Sequence, residues 1–151
     1  MEKALVVAKA MYDMYNERFG ESMDEMKMHK LMYLLQRESL MSSKKVLFDE
    51  SFYGWKYGPV LKSVRSSYKS GTYFEDVHEV PSEYARELVS CVLDRYAGLS
   101  SWKLSNLSHE EFSWQLARKG LKPSEDGEEK LTVNAMMVDA TRESARRRAV
   151  G

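Results

Sequence analysis

Few residues of this chain have the types and spacings that chemistry needs. The histidines are His29, His78 and His109, and the single cysteine is Cys91. No two histidines stand at the i, i+4 spacing that lets one helix face hold zinc, and a lone cysteine cannot complete a thiolate site. The residues therefore imply no metal and no cofactor. A phosphate-cradling glycine loop, a dinucleotide fingerprint and a nucleophile elbow are all missing. His109-Glu110-Glu111 puts an imidazole beside two carboxylates, the groups of general acid–base catalysis. The spacing of Ser108 and Glu111 is that of a capping box, however, so a structural role at a helix start outweighs a catalytic one. Cys91 flanks an apolar helical stripe with no cation beside it in sequence, which predicts a buried, inert thiol. No catalytic residue is assigned.

Charge is the other chemistry on offer. Lys62, Arg65 and Lys69 share the outer flank of one predicted helix, and Arg146-Arg147-Arg148 gathers three more cations. Such sets contact phosphates when the field around them is positive. Here 23 Lys and Arg balance 23 Asp and Glu, so no overall field draws a polyanion, and nucleic acid is disfavoured. A solvated flank and a solubilising basic tail near 142–151 account for these residues.

A chain of 151 residues with 43% hydrophobic and 30% charged residues can bury one core without staples, which predicts one domain over 1–151. The longest purely apolar run, Ala4 to Ala8, is far too short to span a membrane, and the first residues lack the form of a signal peptide. With one cysteine, a cytoplasmic setting is expected. The ten methionines read as core filler.

The elements that would position these residues are mostly helical. Apolar residues at helical spacing predict helices from Glu2 to about Asn16, from a Ser22–Glu25 capping box to about Leu40, and from Ser82 to Gly98. The second of these, with Met28, Leu31, Met32 and Leu35 at i, i+3, i+4, i+7, is expected to be central and most buried. Short helices capped by Ser101 and Ser108 should follow, then a mobile acidic loop near 122–130 and a last helix from about Asn134 to Arg147. The β signal is confined to residues 46–57. Val46 to Phe48 and Phe52 to Trp55 read as two short strands, with Asp49-Glu50-Ser51 turning between them. Alternation places Tyr53, Trp55 and Tyr57 on one face, inward, and Pro59 suits the first turn of the next helix. The fold class is thus mainly α, a compact multi-helix domain with a small β-hairpin. The many aromatics, Trp102 and Trp114 among them, exceed the needs of a helical core and are the residue types that anchor interfaces.

Three blocks taken together resemble one family. Lys30-Leu31-Met32-Tyr33-Leu34-Leu35-Gln36, then Leu47-Phe48-Asp49-Glu50, then Trp55-Lys56-Tyr57-Gly58-Pro59-Val60 look like the signature of the Panacea domain. The run Leu104 to Glu110 with Trp114 after it is similar to the second family signature. Ser108 stands where threonine is common, and a basic end replaces the family's aromatic pair. The resemblance implies an antitoxin that neutralises a cognate protein toxin by direct contact, or by delivering it to a cellular protease. It implies no catalytic residue. Tyr53, Trp55, Lys56, Tyr57, Gly58 and Pro59, with His109 and Trp114, are the residues it marks as the centre that frames an interaction surface. The alternative is a phage- or prophage-encoded regulator that binds nucleic acid through the basic flank and arginine tail.

Overall fold

The computed structural model describes residues 1–151. Its elements are α1 (Ala4–Phe19), α2 (Glu25–Ser43), β1 (Tyr53–Trp55), β2 (Gly58–Val60), α3 (Lys62–Ser70), α4 (Glu83–Tyr96), α5 (Ser101–His109), α6 (Phe112–Ala117) and α7 (Val133–Val150). The mainly helical fold with one small antiparallel hairpin matches the class expected from the sequence. No helix is long and apolar enough to cross a membrane.

Everything is arranged around α2. Twelve of its nineteen residues are buried, and it packs against α1, α3, α4, α5, α7 and β2. Met28, Leu31, Met32 and Leu35 supply the expected stripe, all within one core cluster. A helix covered on every side has no polar face left, so Lys30, Tyr33, Gln36 and Arg37 are buried too and must find partners inside. Gln36 shows how this is done. Its amide accepts from Leu47 N–H at 2.7 Å and donates to Phe48 O at 2.9 Å, pinning the strand-like approach to the hairpin.

Local chemistry corrects several boundaries. The cap of α2 is Asp24, which accepts from Lys27 N–H at 2.8 Å, and not Ser22; Glu25 turns outward to Arg65 and His29 instead of closing a capping box. Ser100, not Ser101, caps α5, and Ser108 lies inside that helix. The cap of α6 comes from far away: the Asp139 carboxylate on α7 accepts from Phe112 N–H at 2.7 Å and Ser113 N–H at 3.0 Å. Ser82 caps α4 as expected. Cys91 is exposed, because the buried stripe of α4 runs through Leu88, Val89, Val92 and Leu93 and leaves it outside. Residues 142–150 continue α7 as helix.

The hairpin differs most from the expected one. Tyr53–Trp55 pairs with Gly58–Val60, so the turn is Lys56-Tyr57, while Phe48 makes only an isolated parallel bridge with Glu2. Gly58 sets this register. Its φ of +128° is closed to other residues, and a Cβ there would run into the Lys30 ammonium. Pro59 therefore sits in β2 opposite Gly54, and α3 starts only at Lys62. Gly54 turns its own N–H away from Pro59, to Glu129 O at 2.9 Å. A strand position facing away from its partner is where proline is tolerated. The 129–131 stretch thus lies along β1, with Leu131 N–H donating to Phe52 O at 2.9 Å. A two-stranded hairpin is marginal alone; here α2, α5, α6 and this third segment cover it.

Candidate functional site

The eight residues singled out from the sequence fall in one region, where the hairpin meets the α5–α6 corner. Trp114 Nε1–H donates to Trp55 O at 2.8 Å, and the Trp114 ring stacks on His109 with centroids 4.4 Å apart and planes 11° from parallel. Arg118, buried at the end of α6, passes over the Trp114 ring and donates to Gly54 O at 3.0 Å. The same guanidinium holds the acidic stretch after α6, donating to Lys122 O at 3.0 Å and Glu125 O at 2.6 Å.

The aromatics do not share one inward face. Tyr53 is half-buried under the Lys62 ammonium, 4.1 Å from its ring centroid. Trp55 is half-buried, and its indole N–H is enclosed with no partner. Tyr57 stands out at the turn, 65% exposed, because the register places it in the loop and not in a strand. Trp102 is 72% exposed on the outer side of α5.

His109 and Glu111 do not form an acid–base pair. The Glu111 carboxylate points into the core, accepting from Arg37 Nη1 at 2.8 Å and from the Tyr33 hydroxyl at 2.8 Å. Asp139 reaches the same phenol at 2.8 Å. Burial raises the Glu111 carboxyl above its ordinary range, Arg37 opposes this, and the Asp139 charge adds to it. This cluster ties α2, α6 and α7 together and is closed to solvent. His109 Nε2 is buried without a partner, and burial, helped by the nearby Lys30 cation, lowers its pKa and favours the neutral ring. No three His, Cys, Asp or Glu side chains gather in a group that could hold a metal ion.

Beside the hairpin lies a cleft of about 360 Å³ between the first turns of α2 and the 55–60 segment. Met26, Trp55, Pro59 and Val60 supply its apolar walls, and Lys56, Arg65 and Asp126 its rim. At its base is Lys30, only 4% exposed. The ammonium donates to Tyr57 O and to Ser108 Oγ, and no carboxylate lies within ion-pair distance of it. Burial lowers its pKa to about 8. Beside it His29 is also buried; Nδ1 accepts from Leu61 N–H at 3.3 Å, which leaves Nε2 to donate to Glu25 at 3.0 Å. Sequence reasoning passed over Lys30 as a site residue. Its signal was indirect: a lysine inside a helix expected to be buried all round.

The basic sets are mostly spoken for. Lys62 pairs with Glu128 at 3.1 Å, Arg65 with Glu25 at 2.8 Å, Arg146 with Glu143 at 2.9 Å and Arg147 with Glu38 at 2.5 Å.

Comparison with known proteins agrees with the resemblance carried by these blocks. No curated protein and no solved structure matches the chain. The family model described as antitoxin SocA-like, Panacea domain, matches residues 28–115, which contain all but the first turn of α2, the hairpin, α3, α4, α5 and the start of α6. That match covers more than half of the 151 residues, and the chain belongs to the SocA-like antitoxin family with a Panacea domain.

Proposed function

We propose that this protein is an antitoxin that neutralises a protein toxin by binding it directly at the surface built by the hairpin. Family membership is the observation that carries the reading. The site supports it: Tyr57 projects from a hairpin whose backbone is held by Lys30 at the turn and by Trp114 and Arg118 along β1. An exposed aromatic on a rigid support anchors a partner at low entropic cost. No step of this reading needs a catalytic residue. The ion pairs of the basic flank and of α7 weigh against the nucleic-acid alternative, because those cations already have carboxylate partners.

Co-expression with the product of the neighbouring open reading frame tests the proposal. The expected result is a product toxic alone and harmless with this protein, and a complex that purifies intact. A harmless product, or toxicity that persists, overturns it. The fate of the toxin separates the two mechanisms: direct neutralisation leaves its half-life unchanged, whereas delivery to a protease shortens it.

A further inference from the structure

We propose that the cleft beside the hairpin is a carboxylate-binding site, in which Lys30 receives an acidic side chain of the partner protein. The inference rests on the partner-binding reading above and adds the chemical group that is recognised.

Charge accounting leads to it. The cleft presents three cations and two carboxylates. Arg65 is 2.8 Å from Glu25 and Lys56 is 3.8 Å from Asp126, which uses both carboxylates and leaves Lys30 without one. An ammonium has three N–H donors, and Tyr57 O and Ser108 Oγ take two of them. A buried cation is ordinarily paired, because removing it from water costs several kcal/mol. Lys30 meets that cost with two neutral oxygens and keeps one donor. Trp55 also lines the cleft, so its ring stands beside whatever the cleft holds, while its indole N–H stays enclosed. One carboxylate oxygen has the acceptor capacity for that remaining Lys30 donor. Met26, Pro59 and Val60 offer apolar wall to the methylene stem of such a side chain, and the volume, at the small end for ligand pockets, admits it. The exposed Tyr57 and the half-buried Lys56 adjoin the mouth, so the chain that carries the acid would lie across the turn.

The test uses 3-phenylpropionate as the probe and 3-phenylpropanamide as its uncharged match, titrated into the full chain while the Trp55 indole N–H resonance is followed. The expected result is a saturable shift with the acid and at least tenfold weaker binding of the amide. Lys30→Gln, which keeps a neutral donor, should bind the acid at least tenfold more weakly. Met26→Trp, at a half-exposed wall position of the cleft, should also abolish binding with an unchanged circular dichroism spectrum. Equal binding of acid and amide, or full binding by Lys30→Gln, overturns the site. For the source of the carboxylate, both variants should fail to protect cells from the toxin that the wild type neutralises; full protection by them overturns the partner side chain as the ligand. A wild-type chain that does not protect overturns the antitoxin reading, and the titration still decides the carboxylate site.

Discussion

His29 is satisfied only as the neutral ring, accepting from Leu61 N–H at one nitrogen and donating to Glu25 from the other. Burial lowers its pKa, against a partial opposing pull from Glu25. A folded-state pKa below the unfolded value of 6.5 means that the unfolded chain binds more protons just under that pH. The stability His29 contributes is therefore complete above 6.5 and is lost as pH falls through the folded value. Urea unfolding at pH 7.5 and 5.5 should show the wild type losing more stability than His29→Gln, which cannot titrate. Lys30 carries the opposite message about purpose. Its fall from 10.5 to about 8 means that the cost of burying the charge is present in full below pH 8 and is relieved between 8 and 10.5. That cost is about 3 kcal/mol. Two hydrogen bonds return about 1 kcal/mol each. Lys30→Met should thus leave stability at pH 7 within about 1 kcal/mol of wild type, by urea unfolding. Glu111→Ala strands the buried Arg37 and should cost about 3–5 kcal/mol in the same assay. A loss that large for Lys30→Met would make Lys30 a structural residue.

At the scale of elements, the hairpin depends on Gly58. A side chain there has an unfavourable φ and meets the Lys30 ammonium, so Gly58→Ala should cost more than about 1 kcal/mol and disturb the Tyr57 turn. Helix α6 depends on a residue outside itself. Six residues form no helix unaided, and Asp139 supplies two N-terminal N–H groups with an acceptor. Asp139→Ala should cost about 2 kcal/mol, and hydrogen exchange should localise the loss of protection to Phe112 and Ser113.

Across the whole molecule, α7 is an integral part and not an appendage. Met136 and Ala140 belong to the one core cluster, and Arg147 reaches Glu38 on α2 and Tyr96 on α4, the latter at 3.0 Å. The family match stops at 115, before this helix. A chain cut after residue 132 should therefore lose its cooperative unfolding transition, whereas the full chain should unfold in one step by circular dichroism and fluorescence alike.

The sequence by itself determined the helices and their buried faces, because a 3.6-residue apolar period and local caps such as Ser82 act within a few residues. The tertiary structure joins the aromatic hairpin to Trp114 and, through its ring, to His109. The register of the hairpin was out of the sequence's reach, since Pro59 reads equally as a helix start until Lys30 is packed under Gly58. The polar core was out of reach for the same reason. Tyr33 and Arg37 meet Glu111 and Asp139 across separations of 74 to 106 residues, where no spacing rule operates. Only tertiary structure decided that Cys91 faces solvent, that His109 and Glu111 part company, and that a buried lysine stands at the foot of a cleft with one hydrogen-bond donor still free. Burial and partnership are properties of packing, and a periodic pattern specifies which face is covered without naming what covers it.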